Sequence, residues 1–203
     1  DLAMVERRYA AQGVPGCVGS IDCVHVRWDR CPFGRRWYHV GKEGYPTRVY
    51  EVVVDNTRRI RAVTPGFPGA RNDKTIVRND RAVYRIRTEP MYTQGGAGLH
   101  QRCAASVLTG LYFICDGGYH MWSQLMCPFR YATEPSEKQW SKRVEALRKD
   151  VKRTFGALKA RWRCLKCPCM FFTAARVDNQ FMFCCIVSTQ IDQLTRKTDH
   201  SRK

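Results

Sequence analysis

The sequence predicts an α/β domain in which a mixed sheet is flanked by helices, and three observations carry that prediction. Short apolar runs rich in Val, Ile and Tyr alternate with turn clusters, as strands require. Two such runs, Arg48–Asp55 and Arg59–Thr64, are joined by a tight Asn56-Thr57 turn, which reads as an antiparallel hairpin. One long stretch, residues 141–166, spaces its apolar residues three and four apart, the period of a helix with a single buried stripe.

Composition narrows the class. A chain of 203 residues, 44% of them hydrophobic and 11% aromatic, can bury one substantial core. Lys and Arg number 35 against 18 Asp and Glu, a net charge of +17. That excess favours a polyanionic partner, nucleic acid before an acidic membrane surface. No run approaches the roughly 18 to 20 apolar residues of a membrane span. Residues 1–14 carry Asp1, Glu6, Arg7 and Arg8 and lack the apolar centre of a signal peptide. Beginning at Asp1, the sequence is expected to be part of a longer chain.

The 11 cysteines are odd in number and scattered, several of them inside apolar runs. This suits reduced thiols within the cell better than a secreted disulfide framework. Cys164, Cys167 and Cys169 are clustered, but structural zinc takes four ligands and no second CxxC or close His pair follows. Zinc is therefore not expected.

Taken in order, Met4–Ala11 reads as the end of a helix, broken at Gly13 and Pro15. Cys17–Trp28 reads as a strand, with Ile21, Val24 and Val26 in an apolar run and one carboxylate, Asp22, among them. Such a carboxylate is either a hydrogen-bonded core group or a metal ligand, because an unpaired buried charge is costly. Asp29–Arg36 and Lys42–Pro46 are turn clusters. After the hairpin comes Pro65-Gly-Phe-Pro-Gly69, and Asn72 or Asp73 can cap a short helix over Lys74–Arg78. Residues 85–110 hold Gly95-Gly-Ala-Gly98 and little periodicity, which predicts an exposed insertion. Leu111–Asp116 is a second apolar strand ending in a carboxylate, and Gly117-Gly118 lets the chain turn sharply there.

The long helix puts Val144, Leu147, Val151, Phe155, Leu158, Trp162 and Leu165 on its stripe. Around the rest of it stand ten Lys and Arg against Glu145 and Asp150, nearly half the net charge of the chain. Such a face is either simply solvated or a surface for phosphate backbones, to which Arg148, Lys149, Arg153, Lys159 and Arg161 would contribute. Phe181–Val187 is apolar on all sides and predicts a buried element, and the stretch from 195 to 203 a polar tail.

The order strand with Asp, hairpin, short helix, strand with Asp, basic helix is that of a ribonuclease-H-like integrase/transposase core. The residues themselves resemble the DDE transposase domain of the PIF/Harbinger family. Five segments carry the resemblance: Gly16–Asp22, Gly41–Thr47, Thr64–Lys74, Asp116–Tyr119 and Arg148–Trp162. On that resemblance, residues 15–194 form the catalytic domain, with 85–110 inserted and 1–14 a remnant helix or linker. It implies nuclear DNA chemistry in which two Asp and one Glu hold two Mg²⁺ or Mn²⁺ ions, hard cations that prefer oxygen ligands. It also implies a companion Myb-like DNA-binding protein, and it is compatible with a homo-oligomer.

Asp22 matches the first Asp of the family pattern and Asp116 the second. Asp73 matches a further acidic position, as a supporting or helix-capping group. The third carboxylate belongs three residues before the Phe-Gly of the basic helix, and there this chain has Lys152, with 35 residues between it and Asp116. A lysine offers no oxygen and brings positive charge. Glu145 lies two turns earlier on the same side, about 10 Å along the axis, too far to substitute without a shift. The resemblance thus leaves two readings: a metal-dependent nuclease or transposase domain, or a cleavage-dead descendant that binds DNA or protein. On the second, Lys152 leans across and pairs with Asp22 or Asp116; on the first, its side chain turns out along the helix and Asp73 or Glu145 completes the metal site.

Overall fold

A computed structural model of the chain describes residues 2–93 and 110–200. Helix α1 (Leu2–Ala11) leads into strand β1 (Cys17–Arg27). An excursion containing a 3-10 turn (Phe33–Arg35) and the single turn α2 (Arg36–His39) returns to β2 (Thr47–Val54). Then follow β3 (Ile60–Val63), β4 (Phe67–Pro68), α3 (Asp73–Val77), α4 (Arg81–Thr88) and α5 (Pro90–Thr93). The remainder is β5 (Tyr112–Ile114), β6 (Leu125–Met126), the long α6 (Pro135–Arg161), a 3-10 turn (Arg163–Leu165) and α7 (Ala174–His200).

The strands form one mixed sheet in the order β3-β2-β1-β5-β6, with β4 also paired to β2. β1 and β2 are antiparallel, whereas β1 and β5 are parallel, as are β5 and β6. Both faces are covered, so every residue of β2 is buried. On one face Val24, Val26, Val52 and Val54 pack against Val151 and Leu158 of α6 and Val177 and Phe181 of α7. On the other, Ile21, Val53 and Phe113 pack against Val77, Val83 and Ile86 of α3 and α4. Residues of this size contribute about 1.5–3 kcal/mol each when fully buried. Polar contacts pin α7: Arg48 on β2 meets Asp178 at 2.6 Å, and the Tyr50 hydroxyl donates to the same carboxylate at 2.7 Å.

Several elements differ from their sequence-based outlines. The N-terminal helix packs into the domain, with Val5 and Tyr9 buried beside β1, and Glu6 accepts a hydrogen bond from the Gly16 backbone at 3.0 Å. Residues 85–93 are largely exposed, as expected, but helical rather than irregular. They belong to α4 and α5, and Asp80 starts α4 by accepting from the Ala82 and Val83 amides. The rest of that stretch, 94–109, lies outside the described residues. Asn72, not Asp73, caps α3, through a 2.9 Å bond from the Thr75 amide. Phe181–Val187 is buried on one side only, since Phe183 and Ile186 are exposed. From 195 to 200 the backbone continues α7 where a tail was expected.

Two of the short motifs meet each other. A Cβ on Gly41 would come 2.3 Å from the Gly69 carbonyl oxygen, and one on Gly69 would collide with Thr47 and the His39 carbonyl. Only glycines allow backbones that close. The Ala70 amide donates to the Tyr38 carbonyl at 3.3 Å and the Gly69 amide to the Thr47 carbonyl at 2.9 Å. The excursion between β1 and β2 is thereby held to the segment after β4.

Candidate active site

The parallel pairing of β1 with β5 decides where the two strand carboxylates stand. Ser20 is in register with Ile114, and continuing by two residues sets Asp22 level with Asp116, on the face that α6 crosses. Asp22 Oδ1 accepts from the Cys23 amide at 2.9 Å, and Asp116 Oδ1 from the Gly118 amide at 2.8 Å. These bonds turn both Oδ2 atoms toward α6.

What they meet there is Arg148. Its Nη1 lies 3.5 Å from Asp22 Oδ2 and 3.9 Å from Asp116 Oδ2, while its Nη2 is 3.1 Å from Glu145 Oε2. Arg148 is 8% exposed, so it is not part of an open phosphate-binding face as its charge alone suggested. Val144 and Val151, both fully buried, anchor the helix one turn before and one turn after it. The guanidinium balances charge without completing its hydrogen bonds: Nε and Nη1 are buried with no acceptor in bonding geometry. Burial raises the Asp22 carboxyl above the ordinary range and nearby Asp116 adds to this, against the Cys23 amide, Arg148 and Lys152, which favour the ionised form.

Of the two placements open to Lys152, the outward one is found: it does not pair with Asp22 or Asp116, and Arg148 stands against them instead. Lys152 is exposed and lines a groove of about 580 Å³ that opens beside Asp22. Arg27, Lys42, Lys159 and Lys166 line the same groove, with Glu43 the one further acid and Tyr45 and Phe155 its aromatic surfaces. His25 sits in it with Nδ1 2.9 Å from the Thr47 hydroxyl. Burial, helped by Lys42, holds that imidazole below its usual range, so it is neutral near pH 7.

The other singled-out residues are distributed as follows. A Cβ on Gly118 would come 2.9 Å from Asp116 Oδ1 and 3.6 Å from Asp73 Oδ2, so Asp73 borders the same corner. Glu145 is bound to Arg148, at 3.1 Å. Lys149 is exposed, Arg153 pairs with Asp150 at 3.2 Å, and Arg161 reaches across to Asp192 on α7 at 2.8 Å. Among the described residues, no three His, Cys, Asp or Glu side chains are grouped to hold a metal ion. Cys164 lies near Cys184 and Cys169 donates to Gln180, so the cysteine cluster faces separate partners.

A feature the sequence did not announce lies behind the site. Glu51 of β2, fully buried, stands opposite Cys23 in the ladder. Burial, with Asp80 beside it, pushes the Glu51 carboxyl up to about 10. Glu51 Oε1 and Asp80 Oδ2 are each buried without a donor, which favours a protonated Glu51.

A protein-family model described as plant transposon protein matches residues 2–198. The chain is 21% identical over 187 residues to "Putative nuclease HARBI1" of Bos taurus, covering 91% of this chain and 48% of that protein. The human protein of the same name aligns to the same extent. "Protein ALP1-like" of Arabidopsis thaliana is 23% identical over 192 residues, covering 92% of this chain and 45% of that protein. The chain thus spans about half the length of these relatives. No solved structure matches it. With a family match running nearly end to end and relatives of these names, the chain belongs to the plant transposon protein family of Harbinger transposase-derived nucleases.

Proposed function

We infer that this domain is a ribonuclease-H-like DDE core that holds DNA without cutting it. The observation that carries the reading is the cation set on α6, with Arg148 between the two strand aspartates and Lys152 where the family pattern asks for Glu. Family resemblance implies a pair of Mg²⁺ or Mn²⁺ ions on Asp22, Asp116 and a glutamate. The residues present do not fit that pair. At an effective dielectric near 20, one unit charge 4 Å away is worth about 4 kcal/mol, and against a divalent ion this doubles. Even a fraction of that weakens metal binding many-fold, since about 1.4 kcal/mol is tenfold.

What the chain retains supports binding. The groove beside Asp22 carries five Lys and Arg against two acids, and the net charge is +17. Phosphate contacts of this kind are sequence-tolerant and weaken steeply with salt. A nuclear setting, a companion DNA-binding protein and self-association belong to the same proposal, as properties of a longer protein.

A cleaving site is the second reading, and Asp73 at the corner of Asp116 favours it. Supercoiled plasmid incubated with the protein and Mn²⁺, beside the Asp22→Ala and Lys152→Glu variants, separates the two. We expect the unmodified protein to retard the plasmid without nicking it. Nicking that Asp22→Ala abolishes would overturn the reading.

A further inference from the structure

The excursion that leaves β1 and returns to β2 presents an unusual surface. Phe33 is 91% exposed, Trp37 69% and Tyr38 48%, although aromatic rings of this size gain much from burial. They are interleaved with Arg30, Arg35 and Arg36, and from Arg30 to Lys42 there is no acidic residue. Among the described residues, no acidic side chain pairs with Arg35, Arg36 or Lys42. The Trp37 and Tyr38 rings lie 3.9 Å apart at 47°, and both remain exposed.

This surface is also held in place. The Gly41–Gly69 contact and the Ala70 to Tyr38 hydrogen bond tie it to the segment after β4, and the His39 ring stands edge-on to buried Trp28 at 4.9 Å. Beyond it, Lys42 and Tyr45 pass directly into the groove beside Asp22.

We propose that Phe33, Trp37 and Tyr38, with Arg35 and Arg36, form a stacking platform for unpaired bases of a nucleic-acid strand whose backbone runs on into the groove beside Asp22. Rigid aromatic faces between unpaired cations match a ligand that offers flat rings and phosphates alternately along one chain. A duplex keeps its bases stacked inside and offers a side-on platform only phosphates. An apolar protein face would use the rings and leave the arginines between them unpaired, and an anionic lipid surface offers headgroup charge but no flat rings to stack on. The proposal rests on nucleic acid being the ligand, and it adds which form is preferred and which residues select it.

The test is fluorescence anisotropy of the whole chain with a labelled oligo-dT strand and a labelled duplex of equal length, each over a range of salt. Phe33→Ala/Trp37→Ala should weaken strand binding at least ~10-fold, leave its salt dependence unchanged, and alter duplex binding by less than about twofold. Arg35→Ala/Arg36→Ala should weaken the strand and flatten its salt dependence, since phosphate contacts release counterions. All four residues are exposed, and thermal melting checks that each variant folds. Unchanged strand affinity in the aromatic variant, with duplex binding intact, overturns the platform and leaves the DNA reading standing. Equal losses on strand and duplex overturn the preference for unpaired bases. Failure of the native protein to bind either overturns both readings. Binding to phosphatidylserine vesicles, or self-association, that the aromatic variant removes while strand affinity is untouched would assign the surface to that occupant instead.

Discussion

Replacing Arg148 by Met keeps most of the side-chain volume and removes the charge that faces Asp22 and Asp116. At an effective dielectric near 20, contacts of 3.5 and 3.9 Å correspond to attractions of about 5 and about 4 kcal/mol. The cost of burying the groups cancels much of this. Removing one partner of a buried ion pair still costs about 3–5 kcal/mol, because the other charge stays behind. Asp116 is one-third exposed, so water absorbs part of the loss, and we expect about 3 kcal/mol at pH 7.

The sign of the pH dependence follows from Asp22. Its carboxyl is already raised by burial, and losing the arginine raises it further. A carboxyl raised in the folded state costs stability as pH climbs from the unfolded value near 3.9 to the folded one. Below that window both states are protonated and the cost disappears. The Arg148→Met deficit in urea unfolding should therefore be small near pH 4 and full near pH 8. Mn²⁺ should restore stability to an Arg148→Met/Lys152→Glu variant, by about 2.7 kcal/mol at one hundred times its Kd, and do nothing for the native protein. A deficit below ~0.5 kcal/mol, the range of ordinary surface substitutions, or one equal at both pH values would refute the reasoning.

Three further outcomes are expected. Glu51→Gln should match the native protein near pH 5 and become the more stable of the two above it. The native stability falls between about 4.5 and about 10 by at most ~1.4 kcal/mol per pH unit, and unfolding curves at several pH values check this. Asp178→Ala should cost about 3–5 kcal/mol in denaturant unfolding, because it strands Arg48, whose side chain is 9% exposed, without its partner. Gly41→Ala should lower stability by about 1–3 kcal/mol by driving a methyl group into the Gly69 carbonyl, whereas Gly34→Ala, with open space around it, should be near neutral on thermal melting.

The strands and the basic helix were legible because their periods are clean. Asp22 sits in a run rich in Val and Ile, Asp116 ends a second apolar run, and the α6 stripe repeats over five turns. Charge alone puts Arg148 on the surface, whereas the fold buries it. It is four residues after Val144 and three before Val151, squarely on the buried stripe, and an arginine there calls for buried carboxylates to face it. Asp80 as the cap of α4 was equally readable, since it precedes Arg81-Ala-Val by one position. The length of α7 was not readable, since its buried positions are mixed with exposed Phe183 and Ile186 and its end is polar. The buried Glu51 lies in a strand whose partners come from the rest of the chain, and no local pattern marks it.

Cations of this chain stand where a divalent ion would bind. Calorimetric titration of Mn²⁺ into the unmodified protein, beside an Arg148→Met/Lys152→Glu variant, measures that directly. We expect no saturable binding to the native protein and binding to the variant that Asp22→Ala removes. Stoichiometric Mn²⁺ binding by the native protein, lost on Asp22→Ala, would contradict it.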